Sequence, residues 1–213
     1  MSHQDNVITI EVLVDGPLIV KGITSIKNSK GERVEVEKTA ALCRCGKSDN
    51  KPFCDGTHKK VGFSGEREID KPLQKEREYA GKDISVFDNR VICSHAAECV
   101  GNLPEVFRLG ERPWIAPDNA TPEDVISVVE KCPSGALSHL IDGEHKRDFS
   151  LETEIRIAKN GPYNVAGNIE INIDEELLPP TKEHFSLCRC GASRNKPYCD
   201  GSHNEIGFVD EGN

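Results

Sequence analysis

Residues 43–58 read CRCGKSDNKPFCDGTH, and residues 188–203 read CRCGASRNKPYCDGSH. Each copy holds three thiols and one imidazole, which is a complete set of four metal ligands on one short segment. The Cys-x-Cys pair of each copy places two thiols at the ends of one tight turn, close enough to bind one metal ion together. The repetition indicates that the chain binds metal in at least two places.

The similarity between the two copies extends well beyond the cysteines. Residues 16–22 correspond to residues 161–167, and residues 61–63 correspond to residues 206–208, always at an offset of 145 residues and without a gap. Ungapped register over this length indicates an internal duplication. We therefore divide the chain into a first copy at 1–75, an insert at 76–148 and a second copy at 149–213.

Each copy begins with alternating β-forming residues. They predict a strand at residues 7–14 in the first copy and at residues 153–157 in the second. A Gly-Pro turn then leads into a second strand, at residues 18–20 or 163–165. Residues 33–36 predict a further short strand, so both copies are expected to be rich in β-structure.

Two polar residues of each motif have structural as well as chemical interpretations. Asp55 and Asp200 suit the N-cap of a short helix that would carry the histidine of the motif in its first turn. Ser48 and Ser193, like the two aspartates, either hydrogen-bond to metal ligands or form the turn itself. The sequence leaves both interpretations open.

The insert at residues 76–148 has a different pattern. Residues 83–88 predict a short strand and residues 137–141 predict a closing strand. Between them, residues 122–131 predict a helix, with Thr121 as N-cap, proline at the first helical position and three valines on one face. The insert is therefore expected to be a separate module with both helix and sheet.

The composition excludes one class of function. The net charge is −9, so little on this chain would neutralise phosphates, and we expect no nucleic-acid binding. An acidic surface suits a basic partner protein, or it is simply solvated. Aromatic residues make up only 5% of the chain, which indicates small cores that bound metal would help to stabilise.

The sequence also carries expectations about location. It has no apolar stretch of about 18 residues, so we expect no transmembrane helix. Residues 1–6 lack the basic and apolar regions of a signal peptide. Nine cysteines, an odd number clustered at ligand spacing, favour metal binding in a reducing compartment over disulfides. We therefore expect a cytoplasmic protein that does not bind membranes.

Three thiolates and one imidazole suit either zinc or an iron–sulfur cluster. Zinc fingers usually space their paired cysteines more widely and carry the second ligand pair on a longer loop, so this compact motif fits zinc less well. In a binuclear cluster, Cys43 and Cys45 could hold one iron while Cys54 and His58 hold the other. The second copy offers the same arrangement.

Both copies match the pattern Cys-x-Cys-x2-Ser-x3-Pro-x-Cys-Asp-Gly-(Ser/Thr)-His in full. This pattern resembles the CDGSH iron–sulfur domain family of the mitoNEET type, and the similarity covers about 50–60 residues of each copy. The resemblance implies one [2Fe–2S] cluster per motif, held by three cysteines and one histidine. The ligands that it implies are Cys43, Cys45, Cys54, His58, Cys188, Cys190, Cys199 and His203.

The single histidine of each motif distinguishes such a cluster from one held by cysteines alone. A neutral imidazole in place of a thiolate reduces the negative charge on the cluster, which raises its reduction potential. An imidazole can also be protonated near neutral pH, whereas a coordinated thiolate resists protonation. We hypothesise that reduction potential and cluster retention depend on pH through His58 and His203.

The insert has three cysteines of its own, Cys93, Cys99 and Cys132. Their spacing resembles that of one-cluster bacterial ferredoxins, and more narrowly their divergent relatives that begin Cys-x-His-Ala-x2-Cys. Residues 104–107 and 132–137 are also similar to those proteins. The resemblance implies a third cluster, of the [3Fe–4S] or [4Fe–4S] type, bound by the three cysteines.

One ligand of the four-cysteine ferredoxin pattern is missing. The residue three positions after Cys93 is Ala96, so the cluster either lacks one iron or recruits another ligand. The neighbouring His95 is the candidate, although a structural or surface role for it is equally open. A zinc site made of the three cysteines and His95 is a further alternative. We expect Trp114 to pack in the core or at an interface rather than to relay electrons.

The expected fold is α+β, with two β-rich CDGSH modules and a ferredoxin-like α+β module inserted between them. Members of the family with a single motif form dimers through intertwined strands. The resemblance therefore implies that the two copies pair within this chain as a pseudo-dimer, which makes a second chain unnecessary. A homodimer through either copy is the alternative.

These observations predict a multi-cluster iron–sulfur protein that acts in electron transfer. The sequence has no glycine-rich dinucleotide loop and no catalytic triad pattern, so we expect no enzymatic activity. The expected partner is a redox protein. Two alternatives remain: a cluster donor or redox/pH sensor that acts on an apo iron–sulfur protein, and a structural module held together by zinc.

Overall fold

A computed structural model gives the fold of residues 7–212, which are the residues described below. The expectation about a signal peptide concerns residues 1–6, which lie outside this range. The strands of the described part are β1 (Ile8–Val12), β2 (Leu18–Lys21), β3 (Ser25–Lys27), β4 (Arg33–Glu35), β5 (Thr39–Leu42), β6 (Arg77–Ala80), β7 (Ser85–Asp88), β8 (Leu137–Ile141), β9 (Glu144–Lys146), β10 (Glu154–Ile157), β11 (Tyr163–Ala166), β12 (Ile169–Asn172) and β13 (His184–Leu187). Its helices are α1 (Thr57–Lys60), α2 (Glu98–Asn102), α3 (Pro122–Val129) and α4 (Ser202–Glu205), with short 3-10 turns at Pro117–Asn119 and Glu175–Leu177. None of the helices between residues 7 and 212 has the length and apolarity needed to cross a bilayer.

The duplication of the sequence is also a duplication of structure. Strands β2 and β11, strands β5 and β13, and helices α1 and α4 begin and end at positions 145 residues apart. One sheet has the order β12-β1-β2-β5, and the other has the order β13-β11-β10-β3-β4. Each sheet therefore contains strands from both copies of the repeat.

The two copies exchange strands. Strand β12 of the second copy lies parallel to β1 of the first, with Asn172 opposite Glu11. Strand β3 of the first copy lies parallel to β10 of the second, with Lys27 opposite Arg156. A shift of 145 residues converts one pairing into the other, so a pseudo-twofold axis relates them. The expected pseudo-dimer within one chain, flanking an α+β insert, is confirmed.

One hydrophobic core serves both copies. Its buried side chains include Ile10 and Val20 of the first copy and Ile155, Ile157 and Val165 of the second, each at most 1% exposed. Neither half of a short duplicated sequence could bury this much apolar surface alone. By joining the two copies into one core, strand exchange buries enough apolar surface despite the low aromatic content of the sequence.

The copies differ where prolines interrupt the repeat. Strand β4 pairs with β3 in the first copy. The positions 145 residues later are Leu178, Pro179 and Pro180, and the chain there forms no strand. Proline lacks the backbone N–H that a ladder needs, so the second copy cannot form the counterpart of β4.

The insert is an antiparallel sheet with the order β6-β7-β8-β9 and two helices packed on it. Helix α3 begins as predicted, because the Thr121 hydroxyl accepts a hydrogen bond from the backbone N–H of Asp124 at 3.2 Å. The insert rests on the second copy. The side chain of Asn195 donates to the carbonyl of Val91 at 2.7 Å, and that of Ser186 donates to the carbonyl of Pro133 at 3.3 Å.

The predicted strands are confirmed as elements, and most of them have shifted ends. The strand predicted at 7–14 is limited to Ile8–Val12, and the one predicted at 83–88 begins only at Ser85. The predicted strand at Leu137–Ile141 is correct at both ends. The helix predicted at 122–131 ends at Val129.

Candidate metal centres

Each cysteine motif is held by strand pairing on either side. Strand β5 runs directly into Cys43, whose N–H donates to the carbonyl of Pro52 at 2.8 Å. The N–H of Cys54 donates to the carbonyl of Ala41, also at 2.8 Å. The second copy repeats both bonds at Cys188 and Cys199. These hydrogen bonds join the end of the loop to the strand from which the loop begins.

The four donors of each motif come in two pairs. In the first copy, the sulfurs of Cys43 and Cys45 lie 3.7 Å apart, and the Cys54 sulfur lies 3.3 Å from Nδ1 of His58. In the second copy the corresponding distances are 3.8 Å and 3.4 Å. Between residues 7 and 212, no three His, Cys, Asp or Glu side chains converge as they would around a single metal ion. Each motif thus presents one Cys–Cys pair and one Cys–His pair.

The motif's serine forms the turn rather than a bond to a ligand. The Ser48 hydroxyl donates to the carbonyl of Phe53 at 2.6 Å and accepts from the N–H of Asn50 at 3.0 Å. Ser193 makes the same two bonds in the second copy. Of the two interpretations left open by the sequence, turn formation describes the serine contacts.

The predicted N-caps are wrong by one residue. The N-cap positions of α1 and α4 are Gly56 and Gly201, with φ of 87° and 88°, a region that glycine adopts without strain. The Asp55 carboxylate instead accepts from the N–H groups of Thr57 and Asp49, at 3.0 Å and 2.9 Å. These backbone hydrogen bonds hold the pKa of Asp55 well below its ordinary value. The aspartate therefore ties the start of the helix to the ligand loop.

The arginine inside Cys-x-Cys is a functional candidate that the sequence analysis missed. Arg44 and Arg189 are 2% and 1% exposed, although arginine is almost never buried without partners. Nε of Arg44 donates to the carbonyl of Gly16 at 2.9 Å, and Nε of Arg189 donates to that of Gly161 at 2.7 Å. Each guanidinium also lies over the ring of the later Gly-Phe pair. The sequence could have identified it, because the same arginine stands between the two cysteines in both copies.

The two motifs lie back to back at the pseudo-twofold axis. A Cβ added to Gly46 would lie 2.4 Å from the carbonyl oxygen of Cys190. A Cβ added to Gly191 would lie 2.5 Å from that of Cys45. These approaches require glycine on both sides, since φ is also positive at each position. The two predicted [2Fe–2S] sites are therefore neighbours.

Tyr163 strengthens this junction from one side only. Its hydroxyl, on β11 of the second copy, donates to the carbonyls of Cys43 and Pro52 in the first copy, at 2.9 Å and 3.0 Å. Burial raises its pKa well above the ordinary tyrosine value, so the hydroxyl stays a proton donor. The equivalent position in the first copy is Leu18, which has no hydroxyl to donate.

The two sites differ in exposure. Cys199 and His203 are 2% and 8% exposed, whereas Cys54 and His58 are only half-buried. The insert accounts for this difference, because the ring of His95 occupies the space beside Gly201 and a Cβ there would lie 2.8 Å from Cγ of that ring. The Cys–His pair of the second copy is therefore covered, whereas that of the first copy is partly exposed.

The insert brings Cys93, Cys99 and Cys132 to one cavity of about 690 Å³. Cys93 follows β7, Cys99 lies in α2 and Cys132 follows α3. His95 also lines this cavity, but it is exposed and its ring rests against the second copy. Trp114 packs edge-on against Tyr79 and lines the cavity, as expected for a packing residue.

The buried thiols are suited to metal. Burial raises the pKa of both Cys93 and Cys199 to about 12. Crowded, buried thiols favour their protonated form, and a bound metal cation reverses this preference by stabilising the thiolate. Three thiols and one imidazole in two pairs fit a binuclear cluster, and three thiols around a roomy cavity fit a cubane-type cluster.

Comparison with known proteins agrees with this geometry. The iron-binding zinc finger CDGSH type family matches at residues 15–59 and again at 160–204, and the divergent 4Fe-4S mono-cluster family matches at residues 79–142. The chain is also 41% identical, over 61 residues, to the uncharacterized protein YjdI of Escherichia coli strains K12 and O157:H7. That match covers 29% of this chain and 80% of YjdI. The chain therefore belongs to the CDGSH iron-binding family as an iron–sulfur protein whose two CDGSH domains flank a divergent 4Fe–4S mono-cluster domain.

Proposed function

We propose that this protein carries electrons, with a [2Fe–2S] cluster in each CDGSH motif and a third cluster in the insert. The contiguity of the three donor sets supports this function best. The two CDGSH loops touch where Gly46 meets Cys190, and the insert touches the second loop where His95 meets Gly201. Clusters of these types accept and release single electrons when bound.

The paired donors support a binuclear cluster over a zinc staple. A mononuclear zinc ion needs four donors around one point, with metal–donor distances of about 2.0–2.3 Å. Each motif instead offers a Cys–Cys pair and a Cys–His pair. Two irons of one cluster each need such a pair, which is why we place [2Fe–2S] rather than zinc in both motifs.

The protein's own residues would bind, orient and shield the clusters rather than catalyse a reaction, and we propose no enzymatic activity. The partner in this proposal is a redox protein, not a nucleic acid or a membrane. Strand exchange already joins two CDGSH units within one chain, which favours a monomer over a homodimer. All nine cysteines are free, which suits the reducing cytoplasm.

The decisive experiment is an iron and acid-labile sulfide count on anaerobically purified protein, with paramagnetic resonance on the same sample. Two binuclear clusters and a cubane predict about eight irons per chain, and a trinuclear middle cluster predicts about seven. We expect reversible reduction without cluster loss. A colourless, folded protein without labile sulfide would contradict the proposal.

The exposure of the first motif favours a second candidate function, donation of a cluster to an apo iron–sulfur protein. Cys54 and His58 are half-buried, so an acceptor thiol can approach them, whereas Cys199 and His203 are covered. Mixing the holo protein with an apo-ferredoxin separates the two functions. Rapid transfer of one binuclear cluster per chain supports donation, and retention of both supports electron transfer.

The same contrast predicts two rates of cluster loss in mild acid or with a chelator. We expect the first-motif cluster to be lost several-fold faster, because water and chelator reach its Cys–His pair more easily. Replacing His58 with cysteine should slow the fast phase and lower the potential of that cluster, since thiolate adds negative charge. His203→Cys is the matched control and should change only the slow phase. A single rate that neither substitution alters would contradict this prediction.

A further inference from the structure

Asp88 is a buried side chain with only one of its two carboxyl oxygens hydrogen-bonded. It ends strand β7, is only 3% exposed and lines the same cavity as the three cysteines of the insert. The indole N–H of Trp114 donates to its Oδ2 at 3.1 Å. Its other oxygen, Oδ1, is buried and has no hydrogen-bond partner among residues 7–212.

A buried carboxylate with an unsatisfied oxygen is costly unless a cation completes it. Burial raises the pKa of Asp88 to about 6, although Arg90, Trp114 and Arg77 act in the opposite direction. A metal ion in the cavity would bind the unpaired oxygen and favour the ionised form of Asp88.

The ligand set of the insert lacks one donor. A cubane cluster has four irons, the cavity offers three thiols, and Ala96 has no donor atom. His95 is exposed and its ring rests on the second copy beside Gly201. Among these cavity residues, Asp88 is the donor that is both buried and incompletely bonded. Carboxylate oxygens are established ligands of protein-bound iron.

We infer that Asp88 supplies the fourth protein ligand of the middle cluster, which would then be a [4Fe–4S] cluster held by three thiolates and one carboxylate. This inference rests on the proposed function, because it requires a cluster in the insert. It replaces His95, the sequence-based candidate, with a residue that the sequence pattern did not single out.

The test compares Asp88→Asn with the unmodified protein, both purified anaerobically. Asparagine keeps the size of the side chain and an acceptor for Trp114, but it is a poor iron ligand. We expect the count to fall from about eight irons to about seven, with the paramagnetic signal of an oxidised [3Fe–4S] cluster. In iron-57 Mössbauer spectra, the unmodified protein should show one iron of the middle cluster distinct from the other three.

Two further variants keep the inference testable. Asp88→Cys should retain about eight irons and make the four irons of the cubane alike, which also covers the case that Asp88→Asn fails to fold. His95→Ala is the control and should leave the count unchanged. The inference is overturned if the unmodified protein holds a trinuclear middle cluster, if Asp88→Asn keeps the cubane, or if His95→Ala loses the iron. Those results would leave the proposed function standing, whereas the absence of all labile sulfide would remove both.

Discussion

Replacing Gly191 with alanine should destabilise the protein by roughly 2–5 kcal/mol and reduce the iron content of both CDGSH motifs together. The added Cβ would lie 2.5 Å from the carbonyl oxygen of Cys45, and that oxygen belongs to backbone that cannot rotate away. Overpacking of this kind costs about 1–3 kcal/mol, and a non-glycine residue at positive φ costs about 1–2 kcal/mol more. Because the contact joins the two motifs, relief of the clash must move ligands of both.

The measurement is urea unfolding of the holo protein together with its iron content. Gly31→Ala is the matched control, because its φ of 82° is nearly that of Gly191 at 83° but nothing lies within 4 Å of the added Cβ. The control should lose only the conformational part, about 1–2 kcal/mol. Equal losses in the two variants would show that the motifs do not pack against each other as described.

The ligand sets could be predicted because their spacing is local. Four donors within one short segment define a site before any folding is known, and the second copy removes the chance of coincidence. The contact between Gly46 and Cys190 is different in kind. Both glycines are visible in the repeat, but a glycine after a cysteine is explained equally well by a tight turn. Only the tertiary structure places the carbonyl of one motif against the glycine of the other.

Strands with few buried residues were the least predictable part of the fold. Strand β6 reads REYA and buries only Tyr79, so it shows no alternation of apolar and polar residues. It lies at the edge of its sheet and is held mainly by pairing with β7. Strand β3 is three residues long, and its partner β10 is more than a hundred residues away. The pairing of β3 with β10 follows from the pseudo-twofold axis rather than from local sequence.

Asp88 shows the corresponding limit for the candidate sites. In the sequence it is the polar end of a predicted strand, where aspartate is common and needs no explanation. Its interest comes from burial beside the three cysteines and from the unpaired Oδ1, which no spacing reveals. His95 was the natural candidate because it is adjacent to Cys93, but adjacency in sequence does not decide which side chain faces the cavity interior.

The two buried arginines have nearby carboxylates at different positions. Arg189 pairs with Asp210 through side chains that are 0% and 5% exposed. The position equivalent to Asp210 in the first copy is Gly65, where a Cβ would lie 2.4 Å from Nη2 of Arg44. The first copy instead places Asp15 near Arg44, where the second copy has Asn160. The carboxylate near the buried arginine is therefore supplied by a different residue in each copy.

Although the carboxylate differs, both copies keep an equivalent hydrogen bond from a backbone N–H to a side-chain oxygen. Oδ1 of Asp15 accepts from the N–H of Gly65 at 2.7 Å, and Oδ1 of Asn160 accepts from the N–H of Asp210 at 3.0 Å. Asn160 is therefore already positioned as Asp15 is, and it lacks only the charge. This allows the arrangement of the first copy to be transferred to the second by two substitutions.

Asp210→Gly alone should cost about 3–5 kcal/mol, because it leaves the Arg189 guanidinium buried without a counter-charge. Adding Asn160→Asp should restore a large part of that loss by returning a carboxylate to the Arg44-type position. Urea unfolding of the four proteins in this cycle measures the coupling, and we expect the two changes to be strongly non-additive. Simple additivity would mean that Asp15 and Asp210 do not perform the same task. Recovery in the double variant would instead show that each Cys-Arg-Cys turn requires one nearby carboxylate, whichever residue supplies it.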